Sequence, residues 1–438
     1  MAGKIVCLSL ALFYSCSFLK PEDGSHYQVI EEVNVIDVVQ GKLLTSQTVV
    51  LKDSLIHFIG KEWRVPANAQ ITTINGRGKY LMPGMWDMHF HLAWDAGNDS
   101  LLFDVLLAHG ITGVRDMGGD LAIQRAMKQK VAGNPTSGPA LFGAGPILDG
   151  NPPVMYDFTI PIDDSSGQVE FLLDSLVEAG SDFFKTYSLI QEPIVEEIAA
   201  YAQEHQLSFA GHLSEYIEPE RSIQLGQKSI EHLNRLEEIW QADTARITRI
   251  AALMKEQGTW LCPTLLVYFV KANRRDSALV QSTYEPFIHP FLQQEWASSR
   301  ARRMSKNSEE DWERQASLFE QQKALVGFLH QQGVRILAGT DFAGMPYVYP
   351  GVGLQQELQL LHEAGLSNAE VLATATIHPA IFMGIQDKSG TVAIGKYADL
   401  VLLRENPLEG IDAIAKIDQV FRRGRGVLSI NRDRGDTR

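Results

Sequence analysis

Two histidines separated by one residue are the first feature of this chain with the capacity for metal chemistry. His89 and His91 follow an apolar run, and side chains two residues apart in a β-strand point to the same face. Both imidazoles are therefore able to reach one cation, and imidazole is a common metal ligand. A His-x-His pair also occurs in ordinary strands, so its interpretation depends on what converges with it.

Four further ionisable residues end or interrupt apolar runs. They are Lys185, His212, His232 and Asp341. Lys185 lies among aromatic residues, where an amine is costly to bury unless it is paired or modified. Taken singly, each of the four is compatible with a core residue that has found a hydrogen-bond partner.

The elements that must position these residues are short strands that alternate with amphipathic helices. Residues 81–387 contain eight apolar runs of strand length, namely 82–91, 112–116, 140–143, 182–187, 208–213, 229–233, 259–264 and 335–341. Repeated strand–helix units predict a parallel sheet, and eight of them predict a closed (β/α)8 TIM barrel. The predicted fold class is therefore α/β.

The six candidate residues share one position in that barrel. They fall at the carboxyl ends of strands one, four, five, six and eight, with both His89 and His91 on strand one. This is the face of such barrels where catalysis takes place. Four imidazoles, an amine and a carboxylate that converge there would be expensive to desolvate without a cation. The joint placement therefore predicts a metal site.

Both ends of the chain differ from the middle. Residues 27–80 and 388–430 consist of short alternating runs broken by Gly, Asn and Asp, which is typical of antiparallel strands. We expect them to form one small β-sandwich domain, with the barrel inserted between its halves. Between strands seven and eight, residues 268–333 form a helical insertion far longer than an ordinary βα loop. This insertion is predicted to project at the active-site face.

Charge and composition exclude one large class of partner. The 438-residue chain carries a formal net charge of −14 at pH 7. Nucleic-acid binding needs a basic patch, so a small-molecule substrate is favoured over a nucleic acid. The oligomeric state stays open.

The N-terminal residues predict export. Lys4 precedes an apolar run over residues 5–14 that is too short to span a bilayer, which is typical of a signal peptide or lipoprotein leader over residues 1–16. Residues 13–16 resemble a bacterial lipobox, so Cys16 is a candidate lipid anchor, although Phe13 and Tyr14 depart from the usual pattern. The predicted location is the periplasm or outer membrane of a bacterium, or the cytoplasm if this segment is not a leader.

The order His-x-His, Lys, His, His, Asp and the phrases around it resemble the amidohydrolase superfamily. The matching phrases are LMPGMWD at 81–87, GITGVRD at 110–116, AGTD at 338–341 and GKYADLV at 395–401. The resemblance covers nearly the whole chain after the leader. It is strongest to the branch that groups imidazolonepropionase-like proteins with metal-dependent dipeptidases. It implies a metal-dependent hydrolase that cleaves an amide, peptide or cyclic amide C–N bond.

The resemblance also implies two divalent metal ions. His89, His91 and Asp341 would hold the more buried ion, and His212 with His232 the more exposed one. Imidazole and carboxylate ligands suit zinc best, although other divalent metals also accept them.

The remaining residue of the set would join the two ions. Lys185, carboxylated by CO2, would bridge them as a carbamate. A hydroxide shared by the ions would attack the carbonyl of the substrate. Asp341 would take the proton of that hydroxide and pass it to the leaving nitrogen.

Three residues at strand ends are candidate substrate contacts. They are Arg115, Tyr187 and Tyr268. Many dipeptidase-like relatives carry Tyr two positions after the strand-five histidine, where this chain has Ser214. The substrate therefore stays open among amides, dipeptides and lactams.

Two other functions compete with this interpretation. The phrase from His212 to Glu215 resembles the His-x-x-Glu phrase in which one-metal deaminases place their proton-shuttling Glu. Lys185 argues against a deaminase, because a one-metal site does not need it. The third interpretation is a non-catalytic, metal-holding binding protein, and no ligand has been lost that would favour it.

Overall fold

A computed structural model describes residues 26–163, 168–279 and 282–427. The predicted leader 1–16 and Cys16 lie outside these residues, so export and lipidation stay predictions. Within the described ranges, no helix is both long and apolar enough to cross a bilayer.

The described residues begin with five strands, which are β1 (His26–Asp37), β2 (Lys42–Lys52), β3 (Leu55–Gly60), β4 (Gln70–Asn75) and β5 (Tyr80–Pro83). The first half of the middle contains β6 (Met85–Phe90), α1 (Asn98–Ala108), β7 (Ile111–Asp116), α2 (Leu121–Gly133), β8 (Ala140–Gly143), β9 (Ile147–Gly150), β10 (Thr159–Ile162), α3 (Val169–Ala179), β11 (Phe184–Thr186) and α4 (Glu192–Glu204). Then come β12 (Phe209–Gly211), α5 (Pro219–Gln224), β13 (Ser229–Glu231), α6 (Leu236–Ala242), α7 (Thr244–Gln257), β14 (Trp260–Cys262), α8 (Leu265–Asn273), α9 (Pro290–Lys306) and α10 (Glu309–Gln331). The last elements are α11 (Val352–Glu363), α12 (Asn368–Ala375), α13 (Ile377–Phe382), β15 (Leu400–Leu403), β16 (Ile417–Arg422) and β17 (Arg425–Val427).

Strands from the two ends of the chain share one sheet. Its order is β17-β16-β15-β5-β1-β2-β3, and β4 pairs with β1. The buried side of this sheet forms one apolar core, which includes Ile30, Val33, Val35, Val49, Leu51, Leu81, Leu400, Leu402 and Phe421. Because β5 runs directly into β6, this sheet also fixes where the first histidine-bearing strand begins.

Two parallel sheets carry the middle of the chain. One has the order β6-β7-β8, and the other has the order β10-β9-β11-β12-β13-β14. Every pairing within them is parallel. The predicted α/β class with parallel strands is therefore confirmed. The first seven predicted strands appear near their predicted bounds, whereas β9 and β10 were not predicted.

The predicted eighth strand, residues 335–341, does not form a continuous series of strand hydrogen bonds with a neighbour. This segment and the residue after it form isolated parallel bridges to β14 and β6. Leu337 N donates to Leu261 O at 2.8 Å, and Asp341 N donates to His89 O at 2.7 Å. Regular strand geometry ends at Asp341, whose φ of +63° lies in the left-handed region.

Several helices of the middle, including α1, α2 and α4, pack against the strands of these sheets. In α4 the buried Ile194, Val195, Ile198 and Tyr201 recur at the spacing of a helical stripe. Pro193 lies in the first turn of α4, where its missing N–H breaks no intrahelical bond. The apolar spacing and the helix start signal therefore agree with each other.

The predicted insertion 268–333 contains most of α8 and all of α9 and α10. Helix α10 begins at a capping box, in which Ser308 and Asp311 each bond the other's backbone N–H. It packs against α6, α8 and α11. The insertion is therefore folded onto helices of the middle.

A buried carboxylate on α11 holds the start of α8. The two oxygens of Glu357 accept hydrogen bonds from Leu265 N at 3.0 Å and from Leu266 N at 2.7 Å. These are N–H groups of a first helical turn, which have no partner within the helix. Burial raises the pKa of Glu357 from its usual value of 4.5 to about 8, against the lowering effect of these two bonds.

The raised pKa of Glu357 predicts a fall in thermal stability as pH rises. Between pH 4.5 and 8 the folded state holds the Glu357 proton more tightly than the unfolded state. Stability is therefore lost as pH rises through this window, at up to about 1.4 kcal/mol per pH unit. Glu357→Gln is expected to flatten the dependence of Tm on pH, as measured by calorimetry. The control is Glu363→Gln, an exposed position on the same helix, and parallel Tm curves for all three proteins would contradict the prediction.

Candidate metal centre

His89 and His91 are held at the end of β6 through the same ring nitrogen. Nδ1 of His89 donates to Glu231 Oε2 at 2.8 Å, and Nδ1 of His91 donates to the Gly118 carbonyl at 2.8 Å. Both acceptors are unprotonated oxygens. The Gly118 acceptor is a carbonyl. Burial alone would raise the pKa of Glu231, but Arg115 and His89 hold it well below its usual range. In the neutral form of each imidazole, the Nε2 atom is therefore left with its lone pair.

His212 and His232 follow the same pattern at the ends of β12 and β13. Nδ1 of His212 lies 2.9 Å from Ser188 Oγ, and Nδ1 of His232 lies 2.6 Å from Thr264 Oγ1. The two rings are 4.8 Å apart and nearly perpendicular. Burial, together with the nearby positive charge of Lys185, holds the pKa of both imidazoles well below the usual range. Both rings are therefore neutral near pH 7, and each is able to act as a ligand through Nε2 when its Nδ1 donates to the hydroxyl.

The residue before His212 must be small. A side chain on Gly211 would meet the Thr186 carbonyl oxygen at 1.9 Å, because β11 and β12 approach closely there. The φ of Gly211 is also +152°, a conformation that other residues rarely adopt. This close approach brings the end of β12 beside the strand that carries Lys185.

Asp341 lies against the two β6 histidines. Its Oδ1 is 3.2 Å from Nε2 of His91 and 3.4 Å from Nε2 of His89. Burial, with the charge of Lys185, lowers the pKa of His89 to about 4, so its Nε2 is unprotonated near pH 7. Two lone pairs directed at one carboxylate oxygen would repel it, and a cation between them removes that repulsion. The three side chains have the donor types and the closeness of a metal-binding group.

Lys185 is the middle residue of β11 and is 1% exposed. Its Nζ lies 5.8 Å from the centre of the Tyr187 ring. Burial lowers the pKa of Lys185 to about 8, against the raising effect of Glu231 and Asp341. A substantial fraction of the amine is therefore neutral near pH 8, which is the form that adds CO2.

The structure brings the four histidines and Asp341 into one contiguous cluster, and Lys185 lies beside it, 5.8 Å from the Tyr187 ring that packs on His212. Asp341 contacts His89 and His91, the His89 ring is 4.6 Å from that of His232, and His212 follows. All six side chains are buried. They come from four strands and the segment 335–341, which meet only through the tertiary fold.

Arg115 differs from its predicted role as a substrate contact. It is fully buried, and its Nη2 lies 2.8 and 2.9 Å from the two oxygens of Glu231. Its other nitrogens donate to Ser229 Oγ and to the Met88 carbonyl. Because these groups already bind the guanidinium, Arg115 fixes Glu231, and Glu231 fixes the ring of His89.

Glu231 was missed by the sequence analysis. A carboxylate directly before the strand-six histidine, inside an apolar strand, was the signal that pointed to it. Glu231 also lies close to His89 and Cys262, a second group of metal-ligand types. Burial holds the pKa of Cys262 well above its usual range, so the thiol stays protonated and is a poor ligand.

The two predicted tyrosines lie beside the second pair of histidines. The Tyr187 ring is 4.0 Å from the His212 ring. The hydroxyl of Tyr268 accepts a hydrogen bond from Leu233 N at 2.7 Å, so Tyr268 is fixed to the residue after His232. Tyr187 therefore has the more direct position for a substrate contact.

An aromatic wall on the His91 side was not predicted. Trp94 lies 4.7 Å from the His91 ring, and Phe158 stacks on Trp94 at 5.3 Å. Trp94 Nε1 donates to the Gly118 carbonyl, the same oxygen that holds His91. This wall presents a flat apolar surface beside the first pair of histidines.

Glu215 is exposed, unlike the six buried candidate ligands. Its backbone N donates to the Ser188 carbonyl at 2.8 Å. The preceding Ser214 is buried, and its hydroxyl donates to the Ile190 carbonyl at 2.6 Å. The arrangement gives no support to Glu215 as a buried proton shuttle.

Comparison with known proteins connects this site to one family. The model of the amidohydrolase family matches residues 80–427. Ochratoxinase from Aspergillus niger is 25% identical, and the match covers 85% of this chain and 80% of that protein. A prolidase structure with bound N-methylphosphonate-L-proline has a TM-score of 0.71 at 23% identity, over 92% of this chain and 99% of that one. A bottromycin amidohydrolase structure has a TM-score of 0.74 at 22% identity, over 92% of this chain and 87% of that one.

Proposed function

The chain belongs to the amidohydrolase family, and we propose that it hydrolyses an amide, peptide or cyclic amide C–N bond at a site for two divalent metal ions. The observation that carries this proposal is the common orientation of four histidines. Each is bound at Nδ1, and each leaves Nε2 for the cluster around Asp341 and Lys185. The names prolidase and bottromycin amidohydrolase refer to peptide or amide hydrolysis, and these two proteins support the reaction class.

We propose that the histidines divide between two ions as the family resemblance implies. His89, His91 and Asp341 would hold one ion, and His212 with His232 the other. Zinc fits this set of nitrogen and oxygen donors. The ions would supply an activated water and polarise the carbonyl of the substrate.

Lys185 is proposed to join the two pairs of histidines as a carbamate. Burial is the main cause of the low pKa values of His89, His212 and His232, and the positive charge of Lys185 lowers them further. The amine is therefore close enough to act on both pairs. A carbamate there replaces a positive charge with a bidentate anion. That exchange would stabilise two dications, which an ammonium would repel.

Asp341 is proposed to move the proton. Its carboxylate would be ionised, because the metal ion proposed to lie between it and the imidazoles of His89 and His91 would stabilise its negative charge. An ionised carboxylate at this position is ready to accept a proton from the attacking water. The same group would then deliver that proton to the leaving nitrogen.

We propose further that the parallel strands close into a (β/α)8 barrel over residues 81–387. The segment 335–341 bonds both β14 and β6, and Asp182 N donates to Gly143 O at 2.9 Å between the two sheets. These bonds support continuity around the ring of strands. The sheet built from both chain ends would then be the accessory domain, at residues 27–80 and 388–430.

Metal analysis tests the two-ion proposal. Protein prepared without chelator and supplied with zinc and bicarbonate is expected to approach two ions per chain, because six convergent ligands exceed the four that one tetrahedral ion uses. Elemental analysis gives the ratio. A ratio of one that added zinc and bicarbonate do not raise would contradict the proposal. The reaction class is tested on the same protein with N-acyl amino acids, dipeptides and lactams, before and after chelation.

A further inference from the structure

Helix α8 lies beside the metal centre and carries buried positive charge. It follows β14, and its Tyr268 bonds the backbone directly after His232. One turn further on, the Nζ of Lys271 lies 4.9 Å from the centre of the Tyr268 ring. Arg274 caps the end of the same helix. These three residues, spaced by three, mark one face of α8.

Arg274 is buried without adequate partners. It is 2% exposed, and its Nη2 donates to the Met345 thioether sulfur at 3.3 Å. In the described ranges its Nε and Nη1 have no hydrogen-bond acceptor. A thioether is a weak acceptor, and an unsatisfied buried guanidinium destabilises a protein substantially. Selection for stability alone does not explain such a residue.

In the described ranges the two cations of this face lack a directly paired carboxylate, although Asp341 and Glu237 act on Lys271 at longer range. Among the residues that the structure describes, neither Lys271 nor Arg274 is within ion-pair distance of an Asp or Glu oxygen. Burial lowers the pKa of both side chains, and the nearby charge of Arg303 lowers them further. The chain as a whole is acidic, with 53 Asp and Glu residues and a net charge of −14. Two neighbouring cations without an ion-pair partner in the described ranges are therefore unusual for it.

The cationic face is close to the reacting groups. The charge of Asp341 acts on Lys271 and raises its pKa against the effect of burial. Met345, which covers Arg274, belongs to the turn that follows Asp341, and its backbone N donates to Asp341 O at 3.1 Å. Through Met345, the end of α8 therefore contacts the turn that carries Asp341.

We propose that Arg274, with Lys271 beside it, binds a carboxylate of the substrate once the Met345 side chain moves aside. This inference rests on the proposed amide hydrolysis and names its substrate class as amides that carry a free carboxylate, such as N-acyl amino acids and dipeptides. The guanidinium fork matches both oxygens of a carboxylate. Methionine is unbranched and flexible, so its displacement disturbs the surroundings little. The carboxylate supplies the acceptors that Arg274 lacks.

A matched pair of substrates tests the subsite. N-acetyl-L-phenylalanine carries the carboxylate, and N-acetyl-L-phenylalaninamide does not, while acetate release reports hydrolysis of both. Arg274→Met is expected to lower kcat/KM for the acid by about 10- to 100-fold, which is the scale of a charged hydrogen bond, and mainly through KM. The value for the amide should stay within about threefold of wild type, because the amide makes no ion pair.

Two further variants serve as controls. Arg275→Met changes the next residue, which is exposed and paired with Glu309, and should leave both substrates unaffected. Arg274→Lys keeps the charge but not the fork and should retain part of the preference for the acid. The Tm of each variant establishes folding. Equal losses on acid and amide, or an unchanged ratio in Arg274→Met, would overturn the subsite.

Calorimetric titration separates this inference from the proposed function. If neither these compounds nor the dipeptides and lactams tested above are hydrolysed, amide hydrolysis fails as the function, and the zinc-loaded protein is titrated with the same acid and amide. Tighter binding of the acid in wild type, lost in Arg274→Met, supports the subsite. Equal binding of the two compounds, or no detectable binding of the acid at millimolar concentration, overturns it.

Discussion

Asp341→Asn is expected to lower kcat by about 100-fold or more on any amide that the wild-type protein hydrolyses, which is the usual scale for a positioned acid–base group. The asparagine side chain has nearly the same shape, so the fold should persist. It carries no charge and cannot accept a proton from the attacking water. The neighbouring imidazoles of His89 and His91 would also lose the carboxylate that lies 3.4 and 3.2 Å from them.

The control for Asp341→Asn is Asp95→Asn, a half-exposed carboxylate outside the cluster. Steady-state kinetics give kcat, and elemental analysis of the same samples separates loss of metal from loss of proton transfer. If Asp341→Asn keeps two ions and near-normal kcat, then Asp341 is not the group that moves the proton.

Lys185→Ala is expected to lose activity and metal together. Without the lysine no carbamate forms, and the two histidine pairs have no anion between them. A short-chain carboxylate such as acetate should restore part of the metal occupancy and activity, because it fills the space that the lysine leaves. Metal content and amide hydrolysis are measured with and without acetate.

Glu215→Gln is the matched comparison for Lys185→Ala. Glu215 is exposed, so the variant should retain wild-type metal content and most of its activity. A one-metal deaminase predicts the reverse order, with Glu215 essential and Lys185 dispensable. An inactive Glu215→Gln beside an active Lys185→Ala would reject the two-metal proposal.

The strands of the middle, and the candidate ligands at their ends, could be predicted from the sequence. Apolar runs of strand length between amphipathic helices gave seven parallel strands near their observed bounds, and the candidate ligands fell at their ends. The segment 335–341 was harder, because its apolar pattern is that of a strand while its pairing is limited to isolated bridges. Pairing of this kind depends on both neighbours, and no local pattern encodes it.

Side-chain partners were the part that sequence could not predict. Arg115 at a strand end has the same local pattern whether it contacts substrate or a buried carboxylate. Its partner Glu231 lies on β13, far along the chain, and only the fold brings the two together. The unsatisfied burial of Arg274 is likewise a tertiary property, because an arginine at the end of a helix is usually exposed.

The cap on α8 links Glu357, which is not one of the proposed metal ligands, to the choice of substrate. Glu357 fixes the helix at Leu265 and Leu266, whereas Arg274 is at the opposite end. A helix of nine residues is about 14 Å long, so a tilt of about 5° at the cap displaces the far end by about 1 Å. The helix thus acts as a lever, and a change at Glu357 that leaves the ligands of the metals untouched would still shift the guanidinium relative to a bound carboxylate. The preference for substrates that carry a carboxylate would then be more sensitive to this change than the rate of bond cleavage.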